Sequence, residues 1–240
     1  MSFKKLLLLL LLLLTGSAAH SQILMSLLFG DKLNSDGLEF GLEVGLNSSY
    51  ISGLEADKRL SAFNIGFYFD IRLKNQWHLY TGVLAKSRLG ANKLSEEDLT
   101  FLGITPYEQE GTYSQRINYF LLPAFLKYSF GNRIYLETGP QFGVRNKAWV
   151  EFNAKTDDSN LRIRDFNKGA INFLDAGWVI GTGYKLRPDS GVTIGIKYYS
   201  GFTNVYKDQA GSRNNSIFLK ANIPIGAHKS EKKAKNPANE

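Results

Sequence analysis

The sequence contains no cysteine, which excludes a disulfide framework and leaves the stability of the chain to its secondary structure and packing. Histidine is almost as scarce, since only His78 and His228 follow the first 21 residues. A nucleophile with a histidine and an acidic partner therefore cannot be assembled convincingly. We accordingly expect no enzymatic activity, no catalytic residues, no cofactor and no metal site.

Long hydrophobic runs are also lacking, apart from the nine leucines at residues 6–14. A helix that crosses a bilayer needs about 20 apolar residues, so this run is too short for one. Lys4 and Lys5 precede it, and small or polar residues follow at positions 15–21. The pattern predicts a cleavable secretory signal peptide over residues 1–21, with the mature chain beginning at Gln22.

Proline is sparse, at 6 residues against 23 glycines, while aromatic residues make up 13% of the chain. That composition suits many β-strands rather than helices. Along residues 37–46, every second residue is a large hydrophobe and every residue between is glycine or glutamate. Successive side chains of a strand point to opposite faces, so this segment predicts a ribbon with one hydrophobic and one charged face. The hydrophobes are Leu38, Phe40, Leu42, Val44 and Leu46.

The same alternation recurs in seven further segments, at residues 63–73, 77–88, 119–130, 134–144, 174–186, 192–199 and 217–225. Short connections at 74–76, 131–132 and 187–190 alternate with long polar ones at 51–59, 89–112, 151–168 and 205–214. An even strand count with alternating connection lengths is typical of outer-membrane barrels. We therefore predict an all-β fold, an eight-stranded antiparallel up-and-down transmembrane β-barrel over residues 38–226. Its short turns are expected in the periplasm and its long loops outside the cell.

The polar face of these segments is rich in glycine and carries charges of both signs. Glycine suits a crowded, narrow interior, and charges of opposite sign can pair across it. Arg72 and Lys197 are the expected cationic partners of the two glutamates in the first segment. The predicted lumen charge network consists of Glu39, Glu43, Asp70, Arg72, Lys86, Glu137, Asp175 and Lys197.

Aromatic residues of the hydrophobic face fall beside the short connections, where a periplasmic aromatic girdle of a membrane barrel lies. The predicted girdle consists of Phe69, Trp77, Tyr128, Phe130 and Tyr184. This placement favours a hydrophobic face that points outward into lipid. A soluble barrel of the lipocalin kind, with the hydrophobic face around a ligand cavity, remains the alternative.

Two flanking segments and one loop carry further signals. Residues 22–37 place apolar side chains at helical spacing, which predicts a short amphipathic helix. The lysine-rich segment 227–240 predicts a disordered basic tail. In the predicted loop 151–168, Arg162, Arg164 and Lys168 could meet anionic lipid headgroups.

Several short motifs follow one another in a fixed order. They are Gly41-Leu-Glu-Val-Gly-Leu-Asn47, Tyr80-Thr-Gly-Val83, Tyr119-Phe-Leu-Leu-Pro123, Glu137-Thr-Gly-Pro-Gln141 and Gly181-Thr-Gly-Tyr184. In this order the chain resembles the outer-membrane β-barrel family that is widespread in Bacteroidetes and often labelled PorT-like. The resemblance spans nearly the whole mature chain. It implies a barrel located in the outer membrane rather than one particular activity.

An eight-stranded barrel has an interior filled by side chains. We therefore expect a structural or interaction protein of the cell envelope, acting through its loops or periplasmic rim. Outer-membrane lipid and other envelope proteins are the expected partners, and the barrel is expected to be a monomer. The formal net charge of +7 is interleaved with acids and gives little support for nucleic-acid binding. A narrow porin-like channel and a soluble small-molecule carrier are the alternatives.

Overall fold

A computed structural model describes residues 37–155, 160–186 and 191–225 of the chain. The predicted signal peptide and nearly all of the segment 22–37 lie outside the described residues. The predicted short connection at 187–190 and the predicted tail at 227–240 lie outside them as well.

Nine strands and one α-helix form the regular structure of the described residues. The strands are β1 (Leu38–Ile51), β2 (Lys58–Lys74), β3 (Trp77–Asn92), β4 (Thr112–Ser129), β5 (Ile134–Lys155), β6 (Asn160–Asp165), β7 (Leu174–Lys185), β8 (Thr193–Gly201) and β9 (Asn214–Pro224). Helix α1 spans Glu96–Phe101, and a 3₁₀ turn spans Lys168–Ala170. Within the described ranges, none of the helical segments has the length and apolarity needed to cross a membrane.

Eight of the strands form a closed antiparallel ring. Its order is β1-β2-β3-β4-β5-β7-β8-β9, and the pairing of β9 with β1 closes it. The predicted eight-stranded up-and-down barrel is thus confirmed. Strand β6 was not predicted, because it lies inside the segment predicted as a loop, and it pairs with the far end of β5 outside the ring.

The hydrophobic face of each ring strand lies on the outer wall. Trp178 and Ile180 of β7 are 48% and 64% exposed, whereas Val179 between them is fully buried. Glu43 and Lys197 point inward and are buried. This arrangement is the reverse of the one that a soluble carrier requires, and it suits a wall surrounded by lipid.

The two ends of the barrel differ in character. We call the end that carries the β1–β2, β3–β4, β5–β7 and β8–β9 connections the loop end, and the opposite end the turn end. Inside the loop end, Leu89, Ile117 and Ala148 point inward from β3, β4 and β5. They pack with Ile171 and Tyr206 from two of the connections. The loop end of the lumen is therefore packed with hydrophobic side chains, among which the buried Gln115 accepts a hydrogen bond from the Tyr206 hydroxyl.

Helix α1 packs beside this hydrophobic filling. A capping box begins the helix, since the Ser95 hydroxyl accepts the Asp98 N–H at 3.1 Å and the Asp98 carboxylate accepts the Ser95 N–H at 3.1 Å. Leu99 of the helix is buried in a cluster with Tyr113 and Phe152. The long connection between β3 and β4 is thereby fixed to the sheet.

A bulge in β3 exchanges the two faces of this strand. Leu84 pairs with Leu121, whereas Ser87 pairs with Tyr119, so β3 carries one additional residue in this interval. Leu84 and Ser87 are both buried, and Lys86 is exposed on the outer wall. The prediction that Lys86 belongs to the lumen charge network is therefore wrong, because strict alternation ends at the bulge.

Gly66 of β2 marks a close approach to the backbone of β3 beside this bulge. A Cβ at Gly66 would overlap the carbonyl oxygen of Val83 and the Cα of Leu84. The register between β2 and β3 also shifts at this point, between Ile65 and Phe67. Because backbone atoms cannot rotate away as a flexible side chain can, the bulged pairing needs glycine here.

We predict that Gly66→Ala lowers the free energy of unfolding by about 2 kcal/mol or more, because the added methyl group overpacks against backbone. Urea unfolding in lipid vesicles, followed by the heat-modifiable shift of the folded band on gels, measures the effect. Gly131→Ala is the matched control, since a Cβ at Gly131 has no neighbour within 4 Å. Equal stabilities of the two variants would contradict the prediction.

Candidate functional site

Two ion pairs cross the middle of the lumen. Lys197 Nζ of β8 lies 2.9 Å from Glu43 Oε1 of β1, and Lys220 Nζ of β9 lies 2.7 Å from Glu137 Oε1 of β5. The partners come from strands that are not neighbours in the ring, so each pair spans interior space. All four side chains are at most 4% exposed. Each charge is therefore removed from water and depends on its partner.

Stacked aromatic rings fill the space around these pairs. The Tyr80 ring lies 5.4 Å from that of Tyr68 and 6.0 Å from that of Phe125, with interplanar angles of 13° and 8°. The Tyr80 hydroxyl donates a hydrogen bond to Glu43 Oε2. Lys220 Nζ lies 4.2 Å from the centre of the Tyr80 ring. Rings and ion pairs thus form one packed layer across the bore.

A third ion pair lies in the same interior and includes a histidine. Lys127 Nζ lies 2.5 Å from Asp70 Oδ2, and His78 Nδ1 lies 2.7 Å from Asp70 Oδ1. The Tyr68 hydroxyl donates to Glu39 Oε1 at 2.8 Å. Both carboxylates therefore have partners from neighbouring strands, and His78 is held by Asp70 beside the turn end.

Asp175 of β7 is buried without a cationic partner among the described residues. It accepts hydrogen bonds from the Tyr199 hydroxyl at 2.7 Å and from Thr203 Oγ1 at 3.2 Å. The Asp175 carboxyl group is thus met by neutral donors, whereas each of the paired glutamates is met by a lysine.

Six of the predicted lumen residues point into the lumen. They are Glu39, Glu43, Asp70, Glu137, Asp175 and Lys197. Arg72 does not, because it lies past Asp70 at the turn end, opposite His78, and is exposed. The prediction of Arg72 as a partner for Glu39 or Glu43 is therefore wrong, as is the inclusion of Lys86. Lys127 and Lys220 are absent from the predicted network, although the alternation of β4 and β9 places both on the polar face.

The predicted girdle residues lie on the outer wall near the turn end. Trp77, Phe130 and Tyr184 are 40–44% exposed. The Trp77 and Tyr128 ring centres are 4.8 Å apart, and those of Tyr128 and Phe130 are 4.9 Å apart. Phe69 lies further round the wall, where its ring is 5.1 Å from that of Phe40. A girdle of aromatic side chains suits the level at which a bilayer meets water.

The described residues show no grouping that suggests a metal site. In these ranges, no three side chains of the histidine and carboxylate types come together closely enough to hold an ion. His78 is engaged with Asp70. The chemistry that the lumen displays is therefore ion pairing and aromatic packing.

We predict that Lys197→Met lowers the free energy of unfolding by about 3–5 kcal/mol, because Glu43 then remains buried without its cation. The double variant Glu43→Gln/Lys197→Met should recover most of this loss, since it removes both charges. Lys155→Met is the control, because Lys155 is exposed at the end of β5. Vesicle-based urea unfolding compares the variants, and a double variant no more stable than the single one would contradict the prediction.

The arrangement of the strands is similar to that in several solved structures. Ail of Yersinia pestis has a TM-score of 0.43 at 11% identity, over 80% of this chain and 100% of that one. For neisserial surface protein A, the TM-score is 0.42 at 10% identity, over 79% of this chain and 100% of that one. For OprG from Pseudomonas aeruginosa, the TM-score is 0.35 at 10% identity, over 80% of this chain and 95% of that one. No curated protein matches the sequence of this chain.

A family model extends over most of the barrel. The model of the outer membrane protein beta-barrel domain matches residues 29–207. This match covers most of the ring strands, and it agrees with the closed ring and its hydrophobic outer wall. The chain belongs to the outer membrane protein beta-barrel domain family, and its barrel lies in the outer membrane.

Proposed function

We propose that this protein is a small outer-membrane barrel with a closed lumen, which serves the cell envelope as a structural and interaction protein through its loop end. The loop end is taken to face outward, as in other outer-membrane barrels. The proposal includes no catalytic activity and no cofactor. The observation that carries it is the filling of the lumen.

Two levels of the lumen are filled by different side chains. In the middle, Tyr80, Phe125 and Lys197 point into the bore and are at most 1% exposed. Towards the loop end, Leu89 and Ile117 belong to the hydrophobic filling and are fully buried. Because an open pore would expose its lining to water, these side chains support a barrel that does not pass solutes.

The loop end offers a surface suited to a protein partner. Strands β4 and β5 have 18 and 22 residues, whereas β8 has 9, so one side of the wall rises above the other. Phe101 and Tyr107 are 43% and 38% exposed on this higher side. Tyr107 packs against Phe152 at 4.9 Å between ring centres. Exposed aromatic side chains held on a rigid support are favourable contact points for another envelope protein.

Within the family, we propose the PorT-like group of Bacteroidetes as the nearest in kind. The ordered motifs support this placement, and two of them lie at structurally important positions. Glu137 of Glu137-Thr-Gly-Pro-Gln141 forms the ion pair with Lys220. Tyr80 of Tyr80-Thr-Gly-Val83 lies in the stacked layer.

A narrow channel is the second candidate, and one side chain favours it. Gln141 of β5 is fully buried, and neither its Nε2 nor its Oε1 has a hydrogen-bond partner in the part of the chain that the structure describes. Buried polar atoms of this kind are commonly satisfied by water. A row of waters near Gln141 would be the start of a conducting path.

Conductance in planar bilayers separates the two candidates. We expect no steady opening of the wild-type protein, because the packed layer leaves no continuous aqueous path. Tyr80→Ala/Phe125→Ala removes two of the stacked rings and should produce steady openings. A heat-modifiable gel shift shows whether this variant is folded. Steady conductance of the wild-type barrel would overturn the closed-lumen proposal.

Site-specific photocrosslinking in intact cells tests the role of the loop end. A photoreactive amino acid at Tyr107 should give a discrete crosslinked product with an envelope protein, because this ring is exposed beside the packed cluster. The same probe at Asn132, in the short β4–β5 connection at the turn end, is the matched control. The same product from both positions, or none from Tyr107, would contradict a specific contact at the loop end.

A further inference from the structure

We call the exposed hydrophobic residues on the outer wall of β3, β4 and β5, among them Val83, Phe120 and Phe142, the hydrophobic belt. A band of cations lies just beyond this belt, towards the loop end. Lys86 follows the exposed Val83 by three residues on β3, and Lys147 follows Val144 by three residues on β5. At about 3.3 Å per residue, each cation stands about 10 Å further along its strand than the last hydrophobe. On strands tilted by about 40°, this interval is about 8 Å along the membrane normal, which is close to the depth of the polar headgroup layer of one leaflet.

Four arginines continue this band on the same wall. Arg88 of β3 is opposite Asn118 of β4, which is opposite Lys147 of β5. Arg116 of β4 is opposite Trp149, and Arg164 of β6 is opposite Glu151, so they lie at levels two and four residues further along β5 than Lys147. We call the following six residues the outer-wall cluster: Lys86, Arg88, Arg116, Lys147, Arg162 and Arg164.

Three arginines of the outer-wall cluster share a single carboxylate. The Nε atoms of Arg116 and Arg164 lie 3.1 Å and 2.9 Å from the Glu151 oxygens, and that of Arg162 lies 3.9 Å away. Burial of the Glu151 carboxyl raises its pKa, but hydrogen bonds from Trp149 and Arg164 and the charge of Arg116 outweigh this effect, so that the pKa is lowered. Glu151 is therefore an anion at neutral pH, and the cluster keeps a large positive excess.

The guanidinium groups are held in place, while their Nη nitrogens have no hydrogen-bond or ion-pair partner within the described ranges. Arg88 and Arg164 lie 5.1 Å and 5.3 Å from the Trp149 ring centre. Among the described residues, the hydrogen bonds and ion pairs of the four arginines use Nε, as in the bond from Arg88 Nε to Asn118 Oδ1 at 3.0 Å. The paired Nη nitrogens remain for an acceptor such as phosphate, which a guanidinium binds with two parallel hydrogen bonds.

An exposed aromatic ring borders the outer-wall cluster. Phe166 follows Arg164 by two residues, is 71% exposed, and has its ring centre 6.4 Å from that of Trp149. A cationic group with an apolar neighbour matches the junction of a phosphorylated headgroup with its acyl chains. Membrane lipid is also the molecule that faces this wall from the side, whereas a soluble partner approaches from above.

From this arrangement we infer that the outer-wall cluster is a binding site for a phosphorylated lipid of the outer leaflet, whose phosphate is held by the arginine Nη groups. The inference concerns the outer wall and is independent of whether the lumen conducts. It differs from the proposed contact through Phe101 and Tyr107, because it assigns a lipid to another surface. If the lipid site fails its test, the proposed protein contact at the loop end is therefore unaffected, and the reverse also holds.

Titration of the folded protein in detergent with diphosphoryl lipid A, followed by native mass spectrometry, tests the inference. Lys86→Gln/Lys147→Gln changes two exposed residues outside the Glu151 ion pairs and should weaken binding about tenfold. Lys207→Gln/Arg213→Gln removes the same charge from exposed positions of the β8–β9 connection and should leave binding unchanged. Equal affinities of wild type and Lys86→Gln/Lys147→Gln would overturn the site.

Two further variants distinguish binding from a purely structural role. Arg88→Gln/Arg116→Gln/Arg164→Gln should weaken binding by more than tenfold, with folding checked by the heat-modifiable shift. Glu151→Gln removes the carboxylate that competes with phosphate and should tighten binding. If the arginines served only to stabilise the wall, Glu151→Gln would loosen them, and weaker lipid binding by this variant would overturn the inference.

The source of the phosphate is tested in the same assay. Fully dephosphorylated lipid A should bind equally weakly to wild type and to the variants. Inorganic phosphate in the millimolar range should not displace diphosphoryl lipid A, because it lacks the acyl chains. Complete displacement by inorganic phosphate would show a general anion site and would overturn the assignment to lipid.

Discussion

The narrow bore of an eight-stranded ring is the constraint on which the other features of this barrel depend. Side chains from eight strands converge on one axis, so an inward charge needs a partner there and the other inward positions carry small or closely packed residues. Glu43 with Lys197 and Glu137 with Lys220 satisfy this condition by spanning the bore. Lipid around the wall imposes the opposite condition, since only apolar groups are tolerated there at low free-energy cost.

The same constraint separates stability from function. A lumen packed with ion pairs, stacked rings and hydrophobic side chains is used for holding the strands together. The proposed binding surfaces accordingly lie outside the bore, at the loop end and on the outer wall. The unequal strand lengths create both surfaces, because β3, β4 and β5 continue past the belt and carry α1 and β6 with them.

The fold was largely predictable because its main signal is local. Alternation with period two places Leu38, Phe40 and Leu42 on one side regardless of what the rest of the chain does. The ring order followed from alternating connection lengths. The exchange of faces in β3 was not predictable from alternation, since the additional residue near Lys86 is tolerated through Gly66 on the neighbouring strand. Strand β6 was not predicted, because polar Arg162 and Arg164 make its sequence typical of a loop, although the segment pairs with β5.

The sequence predicts the kind of each candidate site better than it predicts the residues that form it. Charges of both signs on one face indicated pairing, but the choice of partner depends on which residues meet across the bore. Arg72 has the right alternation and lies too near the strand end, whereas Lys220 has the right depth. For the outer wall, the sequence indicated Arg162 and Arg164 as cations near lipid. Arg88 and Arg116 join them only through strand pairing, so no local pattern could identify them.

The balance of charge differs between the two sides of the wall, and this difference has a physical meaning. In the lumen, Asp70, Glu43 and Glu137 each face one lysine, and Glu39 and Asp175 accept hydrogen bonds from hydroxyl groups, because a buried charge without a partner would be strongly destabilising. On the outer wall, three arginines share the Glu151 carboxylate, and a fourth, Arg88, lies over the ring of Trp149. Folding does not require such an excess, since like charges repel when they are crowded. An excess of cations at headgroup level is instead suited to anions supplied by the membrane, which is the arrangement that the proposed lipid site requires.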